Sequence, residues 1–134
     1  MILIGLFGGL PKSRDEIARV LMNADPMNIG VYALNASDCA SGAHRAERLN
    51  VVLQGLNAKV QGSSLVISHV LSVEEAQTIR NRGGHLWHVM GEPCETIAIQ
   101  KGDTPVTAFV GGCRHFLDPL EAYSEVMLAH GRAR

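Results

Sequence analysis

Met1-Ile2-Leu3-Ile4-Gly5-Leu6-Phe7-Gly8-Gly9-Leu10-Pro11-Lys12-Ser13 is the stretch whose reading decides the fold. An apolar run enters two glycines, passes Lys-Ser and continues into a helical pattern. α/β proteins build phosphate cradles from these parts in this order. Ile2 to Phe7 is apolar on both faces, as a central parallel strand must be. Gly8 and Gly9 end it. Ser13 is placed to cap a helix, with Glu16 three residues later completing a capping box. Asp15 and Glu16 then fall in the first turn, where negative charge is favoured. Ile17, Val20 and Leu21 form one apolar face, and the helix is expected to end near Asn23, before the Asp25-Pro26 turn.

Working outward, strands and helices alternate. Ile29 to Leu34 reads as a strand and Asn35 to Gly42 as a polar loop. Ala43 to Ala58 has helical spacing, with Leu49, Val52, Leu53 and Leu56 on one face. Leu65 to Val70 is a second buried strand. Ser72 and Glu75 form a capping box for the next helix, which Gly83-Gly84 ends. His85 to Val89 is a strand closed by Gly91-Glu92-Pro93. Thr96 to Ile99 and Val106 to Val110 are candidate short strands around a Lys101-Gly102-Asp103 turn. A last helix starts after Asp118, with Pro119 at its first position and Leu120, Tyr123, Val126 and Met127 on one face. The pattern predicts a three-layer α/β fold, a mostly parallel central sheet with helices on both faces. Ligands of such sheets bind at the carboxyl ends of the strands.

The chain of 134 residues suffices for one domain, 1–134, with a real core. A net charge of −1 excludes a general nucleic-acid surface. No apolar run reaches membrane-spanning length. Cys39, Cys94 and Cys113 are odd in number and widely spaced. That argues against a disulfide framework and for a reducing compartment. Without a secretory pattern at Met1, the expected location is cytoplasmic.

Two stretches resemble a family. The opening is similar to the phosphate-binding start of P-loop nucleoside monophosphate kinases. Leu65-Val66-Ile67-Ser68-His69-Val70-Leu71-Ser72-Val73-Glu74-Glu75-Ala76, with Ile79-Arg80 and Gly83-Gly84-His85-Leu86-Trp87-His88-Val89, resembles a later block of the phage-type deoxynucleoside monophosphate kinases. That block reads as an apolar strand, Asp-Val-Arg, a helix with Asn-Glu-Ala, then Gly-Gly and a strand. The resemblance implies a P-loop NTPase-like fold that holds a nucleotide or phosphate at Gly8, Gly9, Lys12 and Ser13. It further implies charge from Lys12, a Mg²⁺ ligand at Ser13 and phosphoryl transfer from ATP. The departures are equally specific. His69 stands where the family has Asp, and Leu71 where it has Arg. The loop is two residues short of G-x-x-x-x-G-K-[ST], and Pro11 precedes the Lys. A histidine does not replace a carboxylate on Mg²⁺, and Pro11 removes an N–H from the cradle. The expected function is nucleotide or phosphate binding with weak or lost transfer. The alternative is a non-catalytic scaffold for protein interaction or self-assembly as a homo-oligomer. A flavodoxin-like or nucleoside-transferase-like domain would bury the same strands.

Each candidate residue has a plainer reading. The Gly8 to Ser13 segment is equally an ordinary strand-to-helix turn. Arg45 and Arg48, three apart on a helix, are candidate phosphate grips or part of a solvated face with His44 and Glu47. His69 is a metal ligand, a base, or an inert substitution, and the last is preferred. His85 and His88 should point to opposite sheet faces. In Cys113-Arg114-His115 the adjacent side chains diverge, which disfavours a thiol–imidazole pair. Arg80 and Arg82 fit a helix C-terminus, and Trp87 fits the core.

Overall fold

A computed structural model describes residues 2–34, 41–57 and 63–132. Its elements are β1 (Ile2–Phe7), α1 (Pro11–Ala24), β2 (Ile29–Tyr32), α2 (Gly42–Asn57), β3 (Ser64–Ile67), α3 (Val73–Asn81), β4 (His85–Val89), β5 (Thr104–Val106) and α4 (Pro119–Arg132). The five strands form one sheet in the order β2-β3-β1-β4-β5. Every pairing is parallel, with β1 held between β3 and β4. The expected three-layer α/β architecture is therefore present. The strand order also differs from the 2-1-3-4-5 of flavodoxin-like sheets.

The alternation of β1 divides the core. Ile4 and Leu6 face α1 and α4, packing with Ile17, Leu21, Ala122, Val126 and the fully buried Trp87. Leu3 and Phe7 face α2 and α3, packing with Leu49, Leu53, Ala76 and Ile79. Gly5 lies on this second face because a Cβ there would meet Ile79, Leu86 and Val70 side chains at 2.7–2.9 Å. After β1 the chain leaves toward β2; after β3 it crosses β1 to reach β4. The carboxyl ends of β1 and β3 therefore flank a topological switch point, where open α/β sheets bind ligands.

Three local expectations are corrected. α1 starts at Pro11, not after Ser13; Leu10 occupies the capping position and makes no side-chain cap. Pro11 has the preset φ and the missing N–H that suit a first helical residue, so it moves the start forward. Asp15 and Glu16 thus lie beyond the first turn, and Glu16 pairs with Arg19 instead. Thr96 to Ile99 is not a strand, and the last strand is Thr104–Val106, not Val106 to Val110. The α3 capping box is as expected: Ser72 Oγ accepts from the Glu75 amide at 3.2 Å. Asp118 accepts from the Glu121 amide at the start of α4, at 2.8 Å. The expected loop at 35–42 and Cys39 fall largely or wholly outside the described residues. Among the described residues no helix is long and apolar enough to cross a membrane.

Candidate functional site at the carboxyl edge of the sheet

Gly8 and Gly9 both adopt left-handed φ, at +76° and +64°. Only three residues, 8–10, therefore join β1 to α1. The Gly9 amide donates to the Glu92 carbonyl at 2.8 Å, which ties the turn to the loop after β4. The Ser13 and Arg14 amides both donate to the Leu10 carbonyl, at 3.0 and 3.1 Å. The carbonyls of Gly8 and Gly9 accept from Arg14 Nη1 at 2.8 and 3.1 Å. The turn faces a guanidinium supplied by its own helix, and Arg14 is buried there.

Arg14 continues into a chain of polar contacts. Its Nε donates to His69 Nδ1 at 3.1 Å, and His69 Nε2 lies 2.9 Å from Asp15 Oδ1. Because Nδ1 accepts, the ring proton belongs on Nε2, where it donates to the carboxylate. Both nitrogens are engaged, so His69 is neither a spare base nor an inert replacement. Burial lowers its pKa; Asp15 opposes this, while Arg14 and Arg45 reinforce it.

A second buried group adjoins the first. Arg45 Nη2 donates to the carbonyls of Leu34 and His69, the latter at 3.1 Å. Arg45 Nε donates to Glu75 Oε1 at 2.7 Å. The same oxygen accepts from the Leu71 amide at 3.2 Å and from Ser72 Oγ at 2.9 Å. Arg45 thus fastens the ends of β2 and β3 to the start of α3. Both partners are buried, and among the described residues Glu75 Oε2 has no hydrogen-bond partner.

The sequence-derived residues are therefore distributed unevenly. Gly8 and Gly9 form the turn. Lys12 is exposed on the first turn of α1, and Ser13 is half-buried beside it. Arg45 points inward, whereas Arg48 is exposed and lines a groove. That groove, about 470 Å³, is lined by Tyr32, Ala33 and Leu34 at the end of β2 and by His44, Glu47, Arg48, Val51 and Val52 of α2. Sequence reasoning overlooked Arg14 and Asp15. Counting G-x-x-x-x-G-K-[ST] from Gly8 instead of back from Lys12 lands on Ser13, Arg14 and Asp15, which puts a cation at the lysine position.

The residues at the turn do not fit ATP with Mg²⁺. The carbonyls face inward, Arg14 fills the space, and Asp15, the carboxylate nearest Ser13 in sequence, is engaged by His69. Among the described residues no three His, Cys, Asp or Glu side chains are grouped as metal ligands.

The remaining candidates are structural. His85 meets His130 of α4, with Nε2 atoms 3.0 Å apart, while His88 faces the rings of Phe7 and Phe116. Arg80 makes a two-armed pair with Asp103 at 2.9 and 3.0 Å. Arg114 has φ +55°, and His115 stacks on Phe116. Burial lowers the pKa of His85 and His88 as it does that of His69. An unfolded histidine titrates near pH 6.5, so below that value the unfolded chain takes up protons that the folded chain refuses. The contribution of these histidines to stability is therefore complete above about pH 6.5 and is lost as pH falls toward their lower folded values. Urea unfolding at about pH 7.5 and about pH 5.5 measures this. The midpoint is expected to fall; an unchanged or higher midpoint at the acid pH contradicts it.

No family model, curated protein or solved structure matches the chain.

Proposed function

We propose that the chain binds a nucleotide or a related phosphate-bearing small molecule at the carboxyl edge of the sheet, in the groove between the end of β2 and α2. The architecture is read as nucleoside monophosphate kinase-like, with phosphoryl transfer weak or lost. The observation that supports this is the 470 Å³ groove between the end of β2 and α2. Its volume lies within the range of about 300–1,000 Å³ usual for small-molecule sites. Tyr32 offers a ring for a base, Val51 and Val52 an apolar wall, and Arg48 a guanidinium suited to phosphate oxygens. The loop-bound phosphate that the opening sequence implies is not part of this reading, because Arg14 already occupies the turn.

Calorimetry with deoxynucleoside monophosphates, ADP and ATP, with and without Mg²⁺, tests the proposal. Monophosphate binding is expected to be independent of Mg²⁺ and roughly tenfold weaker in Arg48→Ala, the loss of one charge-assisted contact. No heat at millimolar ligand overturns it. A second reading, a scaffold for self-assembly, is favoured by Phe109 and Val110, 59% and 99% exposed on the loop beyond β5. Light scattering that shows a stable oligomer, with no nucleotide effect on Tm, selects that reading instead.

A further inference from the structure

We propose that Arg14 is a displaceable internal plug of the β1–α1 turn, held in place by the lone pair of His69 Nδ1 and released when that nitrogen takes a proton. The geometry makes the two events exclusive. Arg14 Nε and His69 Nδ1 are 3.1 Å apart and share one hydrogen. A second proton on Nδ1 sets two donors and two positive charges against each other inside a buried site. His69 cannot swing away to relieve this, because Nε2 is tethered to Asp15 Oδ1 at 2.9 Å and its own carbonyl is held by Arg45. Arg14 has a route out. It lies one turn from the start of α1, and its remaining bonds go to the two glycine carbonyls, which water can satisfy.

The charges around His69 favour the docked state at neutral pH. Arg14 and Asp15 come from α1, Arg45 from α2, and Glu75 from α3, where it offsets Arg45. Cys94, on the loop after β4, approaches the same turn, its backbone N 3.6 Å from where a Cβ of residue 8 would lie. Burial and the two guanidinium groups disfavour the imidazolium, and only Asp15 supports it. On acidification the balance shifts, the guanidinium leaves, and the turn between β1 and α1 opens to solvent beside Lys12. The switch stands independently of any nucleotide in the neighbouring groove.

Nuclear magnetic resonance of the full chain tests this without a ligand. In the docked state Arg14 Nε–H is sheltered, so its signal is expected to be sharp and slow to exchange. It should be lost with the same pH midpoint as the titration of the His69 ring nitrogens, while the Trp87 indole signal reports that the fold persists. Arg14→Gln removes the opposing charge. It should raise the His69 midpoint by roughly one pH unit or more. Persistence of the Arg14 Nε–H signal through the His69 titration overturns the proposal. An unchanged His69 midpoint in folded Arg14→Gln does so as well.

Discussion

Glu75→Ala is expected to lower stability by about 3–5 kcal/mol, the usual result of removing one partner of a buried ion pair. Arg45 and Glu75 are 4% and 0% exposed, and their contact is 2.7 Å. Without the carboxylate, the buried Arg45 guanidinium loses its 2.7 Å ion pair. The Leu71 amide and the Ser72 hydroxyl lose their acceptor as well. Arg45→Ala is expected to cost a similar amount, since it strands a carboxylate and leaves the Leu34 and His69 carbonyls without that donor. The double replacement Arg45→Met with Glu75→Leu should recover much of the loss, because apolar side chains of similar volume carry no desolvation cost. Urea unfolding followed by the buried Trp87 gives the stability of the parent chain and of the three variants. A single-variant loss below about 1 kcal/mol would mean that the charges are solvated and the interlock between β2, β3 and α3 is weak.

Gly9→Ala is expected to destabilise by about 3 kcal/mol, from two sources that add. A left-handed backbone costs a residue with a Cβ roughly 1–2 kcal/mol, and Gly9 has φ +64°. The new Cβ would also sit 2.9 Å from the Met90 carbonyl oxygen and 2.9 Å from Val89 Cγ1. A main-chain oxygen in the loop after β4 cannot rotate aside, so the two segments must part, which overpacking data place at about 1–3 kcal/mol. The Gly9–Glu92 hydrogen bond would stretch with them. Gly83→Ala is the control. Its φ is +74°, but nothing lies within 4 Å of the added atom, so only the conformational cost of about 1–2 kcal/mol applies. Equal losses in the two variants would show that the turn and the loop after β4 are not in contact.

The layers and most element positions were legible because they depend on local repetition. Strands apolar on both faces, the Ser72–Glu75 box and the Asp118-Pro119 start all declare themselves within a few residues. The site was legible in place but not in arrangement. Gly8 and Gly9 marked the turn, yet its occupant was hidden, because a helical side chain leans back toward the start of its helix. Arg14 therefore covers residues five and six positions earlier. The Arg45–Glu75 pair joins residues 30 apart, and the Arg80–Asp103 pair joins residues 23 apart. No periodicity carries such distances. Lys12 and Ser13 were singled out by chemistry alone, whereas the start of α1 was set by Pro11.

The central position of β1 has a consequence for how the chain is made. Its two neighbours in the sheet are Ser64–Ile67 and His85–Val89. During synthesis at about 5–20 residues per second, β1 therefore leaves the ribosome seconds before either partner exists. Its six residues, Ile2–Phe7, are nearly all buried in the finished molecule. Until β4 emerges they must be sheltered by transient collapse or by a chaperone, and the sheet closes only after long loops have been drawn together.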